Sequence, residues 1–228
     1  MATLAQLLAS HGCILVLDAA SANVQVGLLR RGAPPVWQRS PEESGRALFT
    51  GTEACLRDTG LGWPEVRAFL FCEGPGSMLG VRTAAMAIRT WQVESPRPAY
   101  RYQSLAILAH QLQVAGSPAP FSVIADARRE SWHRLTVGAT GVGKLERVAT
   151  PVLASSGELL FQPAAFRSWA RPPRAARDCA YDVAALLAAT GDLDLFTPTD
   201  APDTFQHEAP VYKKWSAQVH SAATASRP

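Results

Sequence analysis

Two carboxylates and one glycine-rich loop are the residues of this sequence whose types and spacing could do chemistry. Asp18 closes the apolar run Ile14-Leu15-Val16-Leu17, and Asp126 closes the apolar run from Phe121 to Ala125. A carboxylate at a strand end that faces a cleft can orient a metal-bound water or a nucleotide phosphate. The same residue can instead make an Asx-type turn, its oxygens accepting from nearby backbone N–H groups. Both readings stay open for each aspartate. Gly74-Pro75-Gly76-Ser77 lies between an apolar run and a segment rich in small residues. Glycines let backbone approach a ligand, and the first turn of a helix presents N–H groups with positive partial charge. Ser77 can cap that turn, with Arg82 following closely. The loop matches neither established phosphate-loop spacing. Its other use is a tight strand-to-helix connection in which Gly80 permits close packing. Asp18, Gly74, Gly76, Ser77 and Asp126 are therefore the candidate ligand-binding residues.

Other chemistries lack their residues. His11, His110, His133, His207 and His220 form no H-x-x-x-H or H-E-x-x-H spacing and sit near no cysteine pair, so no metal site is expected. Gly76-Ser77 lacks the nucleophile elbow of serine hydrolases, because Pro75 and Leu79 stand where glycines are needed. The basic stretch Arg167, Arg171, Arg174, Arg177 can touch RNA phosphates or be a solvated loop. The Trp and Tyr residues are scattered and mark no stacking platform.

The elements that must position these residues follow from apolar periodicity. Residues 13–17 read as a strand buried on both faces; Val24, Val26 and Leu28 alternate as a half-buried second strand, and Val36–Arg39 as a third. A helix is expected over Glu42–Thr59, a strand over Val66–Cys72 and a helix over Met78–Val93. The core face of that second helix is Val81, Ala84, Ala85, Ile88 and Trp91. Ala99–Tyr102 reads as a strand, with Ser104 as N-cap of a helix over Leu105–Val114. Strand, aspartate, turn and strand then recur at Phe121–Ala125, Asp126 and Trp132–Val137, with Leu145–Ala149 returning as a third strand. Short helices are expected over Pro163–Trp169 and Ala180–Thr190. The pattern is that of an internally duplicated, two-lobed α/β protein, with lobes over 1–103 and 104–216 and a small polar tail over 217–228.

The bulk properties fit that plan. The chain has 228 residues, 47% apolar and 18% charged, enough to bury a real core. Its net charge of +3 is too small to mark a nucleic-acid binder, so any RNA contact would be local. Cys13, Cys55, Cys72 and Cys179 show no C-x-x-C spacing and read as small buried hydrophobes. Residues 1–20 lack a basic flank and break at Asp18, unlike a secretory leader, and no apolar run is long enough to span a membrane; a cytoplasmic protein is expected.

Gly74-Pro75-Gly76-Ser77-Met78-Leu79-Gly80-Val81-Arg82 resembles the GPGSFTGVR signature of the TsaB/TsaD group, formerly called glycoproteases. Ile14 to Asp18 resembles the family's opening strand and aspartate, Asp126-Ala127-Arg128-Arg129-Glu130 its DARR segment, and Ala209-Pro210-Val211-Tyr212 its closing P-x-Y element. The resemblance implies the actin/Hsp70/sugar-kinase (ASKHA) fold. It also implies a place in the machinery that makes threonylcarbamoyladenosine in tRNA. The TsaD branch carries paired histidines that bind metal; their absence here aligns the chain with the TsaB branch, which has no expected activity alone. Implied partners are a TsaD-like paralogue and a TsaE-like ATPase, with a homodimer in isolation, tRNA reached only indirectly and no membrane. No cofactor is implied for this chain itself, with ATP possible at the interface with the TsaD-like partner. The implied contact surface is the pair of first-lobe helices, here assigned to Gly80, Val81, Ala84, Ala85 and Ile88. On that assignment Ala84→Arg is expected to abolish partner binding and leave the fold intact. The alternative is an ATP-binding, phosphotransferase-like enzyme with Asp18 and Asp126 flanking the phosphates. Three departures stand out. Residues 1–12 precede the family's usual start, Ala19-Ala20 replace hydroxyl residues after the first aspartate, and Met78-Leu79 replace Phe-Thr.

Overall fold

The computed structural model describes residues 1–207. The closing P-x-Y match at 209–212 and the polar tail at 217–228 lie outside the described residues. Strands β1 (Cys13–Asp18), β2 (Val24–Arg30) and β3 (Ala33–Ser40) form an antiparallel meander. Helix α2 (Ser44–Thr59) leads to β4 (Ala68–Gly74), which lies parallel to β1, and α3 (Met78–Glu94) leads to β5 (Ala99–Gln103), parallel to β4. After α4 (Ser104–Val114) the plan repeats. Strands β6 (Phe121–Asp126), β7 (Ser131–Gly138) and β8 (Gly141–Ala149) make a second meander. β9 (Leu159–Pro163) and β10 (Ala176–Cys179) then add in parallel. The sheet orders β5-β4-β1-β2-β3 and β10-β9-β6-β7-β8 are the same arrangement twice. The duplication read from the sequence is present.

Local signals explain the helix ends. Glu43 caps α2, its carboxylate accepting from the N–H groups of Gly45 and Arg46 at 3.1 and 3.2 Å. Gly60 ends the helix in the left-handed conformation, at φ 67°. A short helix α1 (Leu4–His11) occupies residues to which the sequence pattern assigned no element. Its signal is a capping box, with Gln6 N–H on Thr3 Oγ1 at 3.1 Å and Thr3 N–H on Gln6 Oε1 at 2.9 Å.

Several expectations need correction. β2 is buried on both faces through Leu29, because α2 covers one side and the shared core the other. Ser104 does not cap α4; Gln103 holds the cap position, and the Ser104 hydroxyl donates to the Pro75 carbonyl. No helix forms over 163–169: β9 ends at Pro163 and an irregular segment follows, since this stretch has no apolar helical stripe. The helix expected from Ala180 begins later, as α6 (Val183–Thr190), capped by Asp182. Helix α5 (Thr150–Ala154) is a further short element.

Nor does the chain divide cleanly at residue 103. β11 (Thr197–Thr199) pairs antiparallel with β5, adding an edge strand to the first sheet from the far end of the chain. One core joins both sheets around α4: Ile14, Leu70 and Tyr102 from the first lobe meet Leu105 and Leu108 of α4 and Phe121, Val123 and Leu135 of the second. A second core lies between the first sheet and helices α2 and α3, with Leu15, Phe69, Phe71, Leu48, Cys55 and Ile88. Each large apolar side chain so buried contributes roughly 1.5–3 kcal/mol. The outer face of the second sheet has only Ile124, Trp132, Leu153 and Leu160 in its buried cluster.

Candidate functional site

The loop after β4 turns back onto the turn after β1. Ser77 N–H donates to the Ala20 carbonyl at 2.8 Å, and a Cβ on Gly76 or Gly80 would collide with the carbonyls of Ala20 and Ala19. These glycines therefore serve close packing of one loop on another. Ser77 also caps α3, its hydroxyl oxygen accepting from Gly80 N–H at 3.3 Å.

Behind that contact Asp18 is wholly enclosed. Its Oδ1 accepts from Ala20 N–H at 2.9 Å, and its Oδ2 from the hydroxyls of Tyr102 at 2.6 Å and Tyr181 at 2.7 Å. Burial pushes the carboxyl above its ordinary range, although the tyrosine and backbone donors oppose the shift. Tyr181 comes from the second half of the chain, so this cluster also fastens the lobes. Gln25 strengthens the tie, donating to the Tyr181 carbonyl at 3.1 Å and accepting from Val183 N–H at 2.9 Å.

Asp126 occupies the matching position of the second lobe and has a different environment. Its Oδ1 accepts from Arg128 N–H at 2.6 Å, the same two-residue turn that Asp18 makes with Ala20. Its Oδ2 accepts from the N–H groups of Trp169 at 2.6 Å and Ala170 at 3.1 Å. Partial burial would raise its carboxyl, but the backbone donors from Trp169, Arg128 and Ala170 outweigh that and hold it low. Arg128, Arg129 and Glu130 all adopt positive φ, at 61°, 49° and 56°. This turn is anchored as well by Arg147, whose side chain donates to Ser131 Oγ at 2.8 Å and to the Ala127 carbonyl at 3.3 Å.

Between the lobes lies a cavity of about 240 Å³, lined by Gly76, Ser77 and Leu79 from one side and Asp126, Arg128, His133, Arg167 and Trp169 from the other. Of the five candidate ligand residues the fold thus brings Gly76, Ser77 and Asp126 together. Gly74 and Asp18 are buried and do not line the cavity. The expectation of two carboxylates facing each other across one cleft is not met, because the loop 74–80 seats directly on the Asp18 turn. Sequence reasoning missed Tyr102 and Tyr181, the partners of Asp18, and His133, whose Nδ1 lies 2.8 Å from Nε2 of His207. These pairings join residues far apart in the chain and leave no local signal. His133 is depressed to about 4, by burial first and then by His207 and Arg147.

The expected contact residues are also placed otherwise. Gly80, Val81, Ala84, Ala85 and Ile88 are all buried and face the first sheet. They are covered by this chain itself. What α3 exposes is its opposite side, with Leu79, Met86 and Val93 at heptad spacing and Arg82 and Arg89 between them. Leu79 is 66% exposed, Met86 51% and Val93 88%. Phe49 of α2 extends this face, its ring edge-on to Trp91 at 5.6 Å.

Comparison with known proteins places the chain. A model of the family described as TsaD, tRNA N6-adenosine threonylcarbamoyltransferase, matches residues 42–188. Among solved structures, YeaZ from Pseudomonas aeruginosa is 21% identical, with a TM-score of 0.59 over 79% of this chain and 91% of that one. A second Pseudomonas aeruginosa protein, described as similar to peptidase YeaZ, is also 21% identical, with a TM-score of 0.55 over 88% of this chain and 99% of that one. No protein of curated function matches. The structural likenesses establish the fold as that of the YeaZ structures, and the two-lobed, duplicated α/β arrangement is the one expected.

Proposed function

From the premise that the chain belongs to the TsaD family of tRNA N6-adenosine threonylcarbamoyltransferases, we propose that it acts as a TsaB-type partner subunit, supporting a TsaD-like paralogue rather than catalysing transfer itself. The observation that carries this reading is the outer face of α2 and α3. Leu79, Met86, Val93 and Phe49 form an exposed apolar stripe that the described residues leave open. Such patches on a soluble domain mark protein contacts. A helix pair presenting one fits against a helix pair of a paralogue with the same lobe, and Arg82 and Arg89 call for acidic groups at its rim. In the absence of that paralogue the same face serves for self-pairing. A TsaE-like ATPase joins the pair, and any ATP sits at the interface with the TsaD-like partner. The sequence supports the catalytic division, since the paired histidines of the metal-bearing branch are missing.

The test is to mix the chain with the TsaD-like paralogue of the same organism and measure complex mass. A complex is expected for the native chain, with binding weakened more than about tenfold by Met86→Arg, whose side chain stands in solvent. Undiminished binding by Met86→Arg would remove this surface from the proposal. The competing phosphotransferase reading needs Asp18 at a phosphate, and its carboxylate is enclosed by three donors. Calorimetric titration of the lone chain with Mg-ATP decides that point, heat at millimolar nucleotide favouring the enzyme.

A further inference from the structure

We propose that the second-lobe side of the cleft mouth binds an unpaired nucleotide of an RNA strand, its base stacked on Trp169 and its phosphates taken by Arg128, Arg167 and the arginines beside them. This rests on, and deepens, the reading of the chain as part of an RNA-modifying assembly, and it replaces the expectation that RNA is reached only through the partner.

Trp169 is 64% exposed and belongs to none of the buried clusters, so the fold makes little use of its ring. Yet it is held in place. Asp126 accepts from the backbone N–H groups of both Trp169 and Ala170, and the Arg128 guanidinium lies 4.8 Å from the centroid of the indole. A large aromatic ring kept at the surface by its backbone, with a guanidinium already against it, is a preorganised stacking platform.

Charge distribution points the same way. Arg39, Arg46, Arg57, Arg101 and Arg134 each pair with a carboxylate. Among the described residues Arg128, Arg129, Arg167 and Arg171 form no ion pair, and Nε and Nη2 of Arg174 are buried without a hydrogen-bond partner. Five arginines without an ion pair thus lie in two loops, 127–130 and 167–174, that Asp126 ties together, while others, Arg82 and Arg89 among them, lie elsewhere on the chain. Forked guanidinium groups suit phosphate oxygens, and the adjoining cavity of about 240 Å³ offers the Ser77 hydroxyl and the His133 imidazole to a base edge. A duplex keeps its bases stacked and out of reach of Trp169. A single free nucleotide would leave Arg171 and Arg174, beyond the cavity lining, without a role.

The experiment measures binding of the full chain to a labelled single-stranded RNA of about ten nucleotides, to the same sequence as a duplex, and to AMP and ATP. Single-stranded RNA is expected to bind, Trp169→Ala to weaken it about tenfold, and Trp169→Phe to restore most of the loss. Arg128→Ala with Arg167→Ala is expected to flatten the salt dependence by a slope of about 1.4. Thermal midpoint and complex formation with the paralogue should be unchanged in Trp169→Ala, which separates this site from the α2–α3 face. Loss of paralogue binding with the Trp169 effect retained would overturn the partner reading and leave this one standing. Unaltered RNA binding in Trp169→Ala, equal affinity for the duplex, or binding of the free nucleotides alone would each overturn the inference.

Discussion

In the first lobe the meander is followed by helices of 16 and 17 residues, and in the second the same positions hold a five-residue helix and an irregular segment bearing arginines. The strand order is identical, so the sheet does not dictate what covers it. In the first lobe Leu48, Cys55, Ala84 and Ile88 bury one face of the sheet under two helices, whose outer side remains apolar. In the second, Leu153 is the sole α5 side chain in the cover, and the chain beyond β9 runs irregularly with Arg167 and Trp169 at the cleft. The duplicated lobes thus differ in what covers the same sheet, two long helices with exposed apolar side chains in one and an irregular segment bearing arginines in the other. The aspartates repeat the contrast: Asp18 faces two tyrosines inside the protein, and Asp126 faces backbone N–H groups at its edge.

The severest break of this contrast is Ala84→Arg. It places a guanidinium in the core under α3 and is expected to cost more than about 4 kcal/mol, removing the folded chain. A cooperative urea transition for this variant near that of the native protein would mean that α3 is not seated as described. Asp18→Ala follows, at about 3 kcal/mol, because it leaves the hydroxyls of Tyr102 and Tyr181 and the Ala20 N–H buried without an acceptor. Asp126→Ala is expected to lose no more than about 1 kcal/mol, since water can replace the carboxylate at that more open position. Equal losses in chemical denaturation would erase the distinction between the two aspartates.

A separate effect concerns acid. His133 is held at about 4 against an ordinary 6.5, so between those values the unfolded chain takes up a proton that the folded chain does not. Stability should therefore fall as pH drops through that window and be fully regained above it. Urea midpoints from about pH 7 to about pH 4.5 test this, with His133→Gln expected to flatten the dependence. A dependence unchanged in His133→Gln would assign the effect to other groups.

Much of this fold is legible in the sequence because β1 and β6, the strands that open the two lobes, are apolar runs ended by an aspartate. Helix α3 is equally plain, with Ser77 before it and an apolar face along it. What stays hidden has tertiary causes. β11 is a strand only because β5 offers it an edge, and Thr197–Thr199 alone carry no strand signature. The core face of α3, Val81, Ala84, Ala85 and Ile88, is legible and is buried, but the same residues cannot also be its exposed face, and the seven-residue repeat of Leu79, Met86 and Val93 is the signal for that other side. Trp169 and Arg128 come together through Asp126, and proximity of that kind cannot be read from spacing.

The pairing of β11 with β5 has a consequence for synthesis. The first sheet lacks its edge strand until residue 199 has left the ribosome. A nascent chain of the first lobe alone therefore shows both an open strand edge and the uncovered apolar helix face. Such a species is prone to associate with other chains, and its open edge is closed only once β11 has been made.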